Sequence, residues 1–400
     1  MTDFVVRPAV EGEQRALFEV LGRSLHAPPV DDERWEKRSA GWPADRKVGA
    51  FADKQPIGVA SSVGTAMTVP GGKVVPAAAV DGVGVRADHT RRGVLTAMMR
   101  EQLGDLQARG EVLAALHASE TTIYGRFGYG IGTRSQDVSV SPRRARFRDS
   151  APAGGQVRLI SSSEAIELLP ELYRRIGLRR PGMIERPQRW WSSQTHRMKD
   201  LVVAVHTGPD GDDGFVAYQP QDRVMKPPEM RIALAVHNLH GANTAAVAGL
   251  WRFLLKIDLV GEVRAFGRPL DEPLAPMLVD TRAWRVTDVS DELWVRLVDV
   301  PAALAARSYR DGDPVVIEVR DPFLPANSGC YRIGPDGAGR TDELPQLRLD
   351  VDVLAMLYLG EWQATTLAAA GRIEALQADA PERADELLRT PTRPWCGTGF

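Results

Sequence analysis

The chain has 400 residues, which is too long for one core, because single domains typically contain about 100–200 residues. We therefore expect two or three domains. With 50 basic and 52 acidic residues the formal charge is −2, so no overall field attracts nucleic acid or an anionic membrane surface. Hydrophobic residues make up 44% and charged residues 26%, which excludes a disordered or fibrous protein.

Targeting segments and metal motifs find no support in the sequence. The first residues, MTDFVVRPAVEGEQ, carry early charges and lack the apolar stretch of a signal peptide. No run reaches the roughly 18–20 apolar residues of a membrane helix, so we expect a cytoplasmic protein. Cys330 and Cys396 lie too far apart for a local zinc motif or a disulfide framework. We expect no metal, and a single disulfide between the two cysteines stays open.

The first third of the chain predicts a strand, a helix, several antiparallel strands, a second helix and a further strand. Residues 4–10 are β-favouring up to a proline, and residues 11–25 place apolar side chains at helical spacing. Residues 47–85 predict strands separated by the turns DKQP and PGGK. From Gly93 an apolar stripe predicts the second helix, and EVLAALHAS predicts the buried strand that follows.

The junction VDGVGVRADHTRRGVL, residues 80–95, combines glycines and arginines at the start of a helix, which is typical of an anion site. GVGVRA imitates a dinucleotide-binding fingerprint, and a Rossmann dehydrogenase is one alternative. That fingerprint needs its glycines in the loop, whereas Gly82 and Gly84 lie in a valine-rich strand. A phosphate-binding Walker loop is excluded, because the chain has no G-x-x-x-x-G-K-[ST] motif.

The segment VGVRADHTRRGVL resembles the pyrophosphate loop of the GNAT superfamily of acetyltransferases. The resemblance implies that acetyl-CoA is bound by a strand edge and by amides and arginines at a helix N-terminus. The segment IYGRFGYG resembles the superfamily's tyrosine segment, which implies Tyr124 as general acid toward the departing thiolate. The cofactor-binding residues implied are Val83, Gly84, Val85, Arg91, Arg92, Gly93, Val94, Leu95, Thr96, Ser119 and Glu120.

The remaining chain predicts two more domains. A basic, proline- and glycine-rich stretch near residue 150 predicts the end of a catalytic domain, 1–150. Residues 151–288 repeat its order of elements but lack a valine strand and basic glycine turn before the helix. They predict a degenerate GNAT-like domain. Residues 289–400 resemble a sterol carrier protein domain with a long apolar helix region near residues 353–376. The fold class expected is α/β (α+β), with two tandem GNAT-like domains and a sterol-carrier-protein-like domain.

Four separated segments together are similar to the enhanced intracellular survival (Eis) family: ALHASETTIYGRFGYG, LWVRLVDVPAALAAR, YLGEWQATTLAAAGRI and the terminal phenylalanine. That resemblance implies N-acetylation of polycationic amines, aminoglycosides above all, with the carboxylate of Phe400 as base. It also implies a homo-oligomer, a hexamer in relatives. Trp35 and Asp81 are the candidate substrate-binding residues, and Gly82 is expected to leave space beside the site. The alternative is a lipid-binding protein that functions through its C-terminal domain.

Overall fold

The computed structural model describes residues 3–39, 42, 44–226 and 229–400, and divides the chain into two compact units. The first unit comprises Met1–Gly132, Leu293–Pro391 and Gly399–Phe400, and the second comprises Thr133–Glu292 and Thr392–Thr398. Among the described residues, no helix has the length and apolar character that crossing a membrane requires. Both cysteines are free thiols, so the disulfide left open by the sequence is absent from the structure. The domain boundaries near residues 150 and 288 stay predictions.

The first sheet of the first unit has the strand order β1-β2-β3-β4-β5-β14-β6. Its strands are β1 (Val5–Pro8), β2 (Lys47–Ala52), β3 (Gln55–Thr68), β4 (Val74–Val85), β5 (Leu113–Leu116), β6 (Gly130–Ile131) and β14 (Trp294–Leu297). The helices beside it are α1 (Gln14–Ser24), α2 (Asp32–Ser39), α3 (Val94–Ala108) and the short α4 (Thr121–Tyr124). The predicted succession of elements in this part of the chain is confirmed.

The second unit repeats this arrangement in a sheet of order β13-β7-β12-β11-β10-β9-β8. Its strands are β7 (Arg134–Val140), β8 (Gln156–Ile160), β9 (Val202–Gly208), β10 (Gly211–Lys226), β11 (Glu229–Gly241), β12 (Val260–Pro269) and β13 (Trp284–Asp291). Its helices are α5 (Ser162–Ile176), α6 (Gln188–Met198), α7 (Thr244–Leu255) and α8 (Leu274–Met277). Leu250, Trp251 and Leu254 of α7 are buried against this sheet and form the apolar face of the helix.

The sterol-carrier-like part of the first unit contains a five-stranded sheet of order β17-β16-β15-β18-β19. Its elements are α9 (Val300–Ala306), β15 (Val315–Arg320), β16 (Gly329–Gly334), β17 (Gly337–Arg340), β18 (Leu347–Asp350), α10 (Val351–Tyr358), α11 (Ala364–Ala369), β19 (Ile373–Ala375) and α12 (Ala380–Leu388). The long apolar helix region predicted over residues 353–376 contains two helices, α10 and α11, and ends in the strand β19. Gly360 takes a left-handed φ of 89° after α10, which ends that helix, and the segment closes with a strand.

A buried ion pair lies in the first unit. Arg296 of β14 donates two hydrogen bonds to Asp321, at 2.8 and 2.6 Å, and both side chains are fully buried. Asp321 also accepts from Asn327 Nδ2 at 2.9 Å. A Cβ at Gly128 would lie 2.8 Å from Arg296 Nε, so only glycine lets the chain pass this side chain. The pair therefore supports the segment between α4 and β6.

Helix α1 packs closely on β4. Its residues Leu17, Val20 and Leu21 are buried, and a Cβ at Gly84 would lie 2.0 Å from Ser24 Oγ. The Ser24 hydroxyl donates a hydrogen bond to Leu21 O at 2.8 Å. If the Ser24 side chain rotated away from a new Cβ, this hydrogen bond would be lost. Glycine at position 84 is therefore required by helix packing.

We expect Gly84→Ala to lower the free energy of unfolding by about 1–3 kcal/mol, because the new methyl group must displace Ser24. The matched control is Gly104→Ala in α3, where glycine is exposed and a Cβ meets nothing within 4 Å. This control should gain about 0.5–1 kcal/mol, since alanine has less conformational freedom to lose than glycine. Urea denaturation measures both values. Changes of the same sign would contradict the close packing of α1 on β4.

Candidate active site

The parallel pair β4 and β5 opens at the carboxyl end of β4. The two strands pair only where Ala77–Ala79 meet Leu113–Ala115. Beyond this point β4 continues to Val85, paired with β3 alone among the described residues. The register also shifts there, since Ser61 pairs with Gly82 while Val63 pairs with Ala79, which leaves Val80 and Asp81 as a bulge. The predicted cofactor residues Val83, Gly84 and Val85 lie on this open edge.

The turn between β4 and α3 presents an uncapped helix end. Gly93 is the N-cap of α3, with a φ of 83° and no side-chain capping bond. The first helical hydrogen bond runs from Ala97 N to Gly93 O at 3.0 Å, so the amides of Val94, Leu95 and Thr96 precede it. A Cβ at Gly93 would meet nothing within 4 Å. This open row of amides suits the diphosphate of acetyl-CoA.

Charged side chains complete the turn in two different ways. Arg86 donates to Asp88 at 2.6 Å, and this hydrogen bond lowers the pKa of the exposed carboxyl of Asp88. Arg91 and Arg92 are exposed, and Arg91 adopts a left-handed φ of 61°, which is rare for a residue other than glycine. Arg86 therefore stabilises the turn through Asp88, whereas Arg91 and Arg92 are exposed and can donate hydrogen bonds to phosphate oxygens. Gly82 and Gly84 lie inside β4, which excludes a dinucleotide-binding loop.

We expect Gly93→Asp to weaken acetyl-CoA binding more than Gly93→Ala does. Both variants strain a left-handed backbone position, at a cost of about 1–2 kcal/mol, and only aspartate adds negative charge where the diphosphate is expected. Arg92→Ala should lose about 1.5–3 kcal/mol of binding free energy. Calorimetry of acetyl-CoA binding measures all three.

The chain offers a matched control for this test. Gly110→Asp, just beyond the other end of α3, changes a glycine of φ 74° with equally open surroundings and should leave binding unchanged. If Gly93→Asp and Gly110→Asp bind acetyl-CoA alike, the anion site has been placed wrongly.

Tyr124, the predicted acid, ends α4 and is 7% exposed. Burial raises the pKa of its phenol, and the negative charge of Glu120 raises it further. The hydroxyl therefore holds its proton throughout the neutral range, as a general acid must. The Tyr124 ring contacts that of fully buried Tyr129 edge to face, with centroids 5.9 Å apart. Ser119 and Glu120 precede α4 and are exposed.

The terminal residue lies beside β5. The rings of Phe400 and His117 are tilted against each other with centroids 4.7 Å apart. His117 directly follows β5, whose carboxyl end points the same way as that of β4 because the two strands are parallel. Sequence reasoning did not select His117. Its position immediately after a buried strand next to the cofactor strand is the signal that could have identified it.

The two predicted substrate residues lie in different surroundings. Trp35 belongs to α2 and packs on Phe18, with ring centroids 5.8 Å apart, at the margin of an apolar cluster. Asp81 lies in the β4 bulge, and its Oδ1 is buried without a hydrogen-bond partner among the described residues. The prediction that Gly82 leaves space is wrong on its Cβ side, because a Cβ there would lie 2.7 Å from Leu21 Cδ2.

Three regions of the chain match domain families. Residues 5–132 and 182–297 match two acetyltransferase (GNAT) domain families, and residues 300–397 match a sterol carrier protein domain. An uncharacterized N-acetyltransferase of Streptomyces avermitilis is 36% identical over 100% of this chain and 99% of its own. N-acetyltransferase Eis of Mycobacterium tuberculosis is 36% identical over 84% of each chain. The crystal structure of Eis1 from Mycobacterium abscessus superposes with a TM-score of 0.90 at 37% identity, covering 99% of this chain and 100% of that one.

Proposed function

The chain belongs to the Eis family of GNAT N-acetyltransferases, and from this premise we propose that it acetylates the amines of polycationic acceptors, with Tyr124 as acid and the Phe400 carboxylate as base. The acceptors we propose are aminoglycosides, polyamines or lysine side chains. One observation carries the assignment of the base. The ring of Phe400 packs on His117 at the carboxyl end of β5, next to the open edge of β4.

The two proton transfers fall to different groups. Acetyl-CoA supplies an activated thioester that an amine nitrogen can attack. The Phe400 carboxylate takes the proton that the nitrogen loses, and Tyr124 Oη gives its proton to the departing sulfur. Burial keeps Tyr124 protonated, which favours the acid role. Amides at the start of α3, together with Arg91 and Arg92, hold the diphosphate and so orient the thioester along the edge of β4.

Asp81 supports a cationic acceptor. A buried carboxylate oxygen without a donor is unfavourable unless a ligand supplies one. An ammonium group provides up to three such donors and the opposite charge. Asp81 also lies in the bulge directly before the strand edge proposed for the thioester. We therefore propose that it binds a second amine of the acceptor, away from the nitrogen that is acetylated.

An acceptor panel tests the proposed substrate class. Release of coenzyme A is measured with aminoglycosides, polyamines, lysine peptides and simple monoamines. We expect polyamino acceptors to be preferred, and Asp81→Asn to raise their KM by about tenfold or more, since a charge-assisted contact contributes about 1.5–3 kcal/mol. The KM for acetyl-CoA should not change. Asp53→Asn, in the β2–β3 turn, is the control. Equal KM values for polyamines in wild type and Asp81→Asn would exclude Asp81 from acceptor binding.

Acetyl-CoA binding also separates this proposal from a lipid carrier. At about 100 times its Kd the ligand should stabilise the fold by roughly 2.7 kcal/mol in a thermal shift assay. The absence of any shift would favour the carrier. On the family resemblance we also propose a cytoplasmic location and a homo-oligomer, with a hexamer as the expected state. Light scattering on purified protein measures that mass.

A further inference from the structure

The second GNAT-like domain contains a cleft of its own. Strands β11 and β12 pair in parallel from Ile232–Val260 to Val236–Ala265 and then separate, as β4 and β5 do. The helix after β11 differs from α3, however. Its N-cap Asn243 accepts a hydrogen bond from Ala246 N at 2.9 Å, so a side chain occupies the place of an anion. This cleft is therefore not arranged for a diphosphate.

The chain's own C-terminal segment, residues 392–398, fills this cleft. Trp395 is 5% exposed, and its Nε1 donates to Gly267 O of β12 at 2.8 Å. The centroid of its ring lies 5.1 Å from that of His240 near the end of β11. The indole therefore contacts both strands beyond the point where their pairing ends. In the first domain the corresponding space lies between β4 and β5, where the resemblance to GNAT acetyltransferases implies that acetyl-CoA binds.

The backbone of the segment is bound in the manner of a peptide ligand. Glu292 accepts from two consecutive amides, Cys396 N at 3.0 Å and Gly397 N at 2.8 Å, one with each carboxylate oxygen. Trp395 N donates to Pro181 O at 2.9 Å. Such contacts hold three successive residues by main-chain groups and leave the side chain of Trp395 to provide specificity.

Arg186 adds a second charged contact. This guanidinium is 5% exposed, and burial lowers its pKa. It donates to Gly397 O at 2.8 Å and Thr398 Oγ1 at 3.0 Å, and also to side chains of β11. Among the described residues it forms no ion pair with a carboxylate. Losing the segment would therefore leave a buried charge without two of its acceptors, which is unfavourable.

Gly397 turns the chain over the indole. Its φ is 62°, and a Cβ there would lie 2.3 Å from Trp395 Cζ2. Only glycine combines this conformation with so close an approach. Gly399 and Phe400 follow directly after the bound segment.

We propose that the cleft of the second GNAT-like domain is a binding site for a carboxy-terminal peptide, which in this chain is its own segment 392–398 anchored by Trp395. Because Phe400 follows this segment by only two residues, binding there limits how far the chain end can move, and Trp395 and Glu292 are positioning residues for the terminal carboxylate. This second statement rests on the proposed function of Phe400.

A chain ending at Pro391 tests the binding site with added peptides. Fluorescence polarisation measures binding of the nonapeptide TRPWCGTGF, of its C-terminal amide, and of the same peptide carrying Trp395→Ala. We expect the first two to bind alike, because the contacts described involve residues before Phe400. The Trp395→Ala peptide should bind about 30-fold more weakly, as for a buried aromatic anchor. Equal binding by the Trp395→Ala peptide, or no binding by any peptide to a shortened chain that still unfolds cooperatively, would overturn the proposal.

Acetyl transfer by the shortened chain with each added peptide distinguishes the proposed peptide site from the proposed role of the Phe400 carboxylate as base. The free-acid peptide should restore turnover and the amide should not. If both bind and neither or both restore turnover, the cleft is a peptide site but the Phe400 carboxylate is not the base.

The full-length chain provides a test that does not require the shortened chain to fold. Each carboxylate oxygen of Glu292 accepts from one amide, and Glu292→Gln replaces one of these oxygens by an NH2 group. We expect hydrogen exchange at the amides of Cys396 and Gly397 to become about tenfold faster or more. The substitution should lower kcat without changing the KM for acetyl-CoA. Glu262→Gln, in the same domain and bonded to Ser139, is the control that should change neither. Unchanged exchange in Glu292→Gln would contradict the proposed site.

Discussion

Removal of Phe400, or extension of the chain beyond it, is expected to lower kcat by about 10²–10⁴-fold, the usual contribution of a general base. Acetyl-CoA should bind nearly as before, because its proposed ligands are the β4 edge and the turn at Arg91–Gly93. The comparison uses two tagged forms of the full chain. A C-terminal tag removes the free carboxylate, whereas an N-terminal tag leaves it in place. Steady-state kinetics with a polyamine acceptor measures kcat, and calorimetry measures acetyl-CoA binding.

Tyr124→Phe should produce a loss of similar size through the other proton transfer. Only a hydroxyl is removed, so the packing of the ring against Tyr129 should survive. Because burial raises the pKa of Tyr124 above its usual 10, the acid is lost only as the pH rises beyond that value. Wild-type kcat should therefore fall at strongly alkaline pH, and the variant should lack this decline.

For the Phe400 prediction, equal turnover of the N-terminally and C-terminally tagged enzymes would show that another group takes the amine proton.

Arg296→Leu should lower the free energy of unfolding by about 3–5 kcal/mol, because it leaves the fully buried carboxylate of Asp321 without its cation. Chemical denaturation measures the change. The exposed pair Arg332–Asp336, 3.1 Å apart, is the matched control, and Arg332→Leu should cost no more than about 1 kcal/mol. A small loss in both variants would mean that water reaches Asp321.

Replacing both members of the buried pair should recover only part of the loss. In Arg296→Leu with Asp321→Leu no charge stays buried, which is favourable. However, Asp321 also accepts from Phe323 N and Leu324 N at 3.2 and 3.0 Å, and these amides would lose their acceptor. Full recovery in the double variant would show that these capping bonds contribute little.

Local patterns predicted much of the first domain, since the stripe of α3 and the turn at Gly93 are encoded within about 30 consecutive residues. What the sequence could not predict depends on distant contacts. Leu21 fills the space beside Gly82, although the two residues lie 61 positions apart. The packing of Phe400 on His117 and the strand β14 in the first sheet have no local signal either. The apolar residues around Gly360 predict a helix region, but they do not show that it divides into α10 and α11 at this glycine.

Strand β14 has a consequence for how the chain can be divided. It lies between β5 and β6 in the first sheet, yet it comes from residues 294–297. A polypeptide ending at Gly132 would contain every residue of the acetyl-CoA turn and Tyr124, but β5 and β6 would each expose an unpaired edge. Open edges of this kind recruit strands from other molecules. The acetyltransferase domain is therefore not an autonomous folding module, and dissection of the enzyme must keep its distant strand.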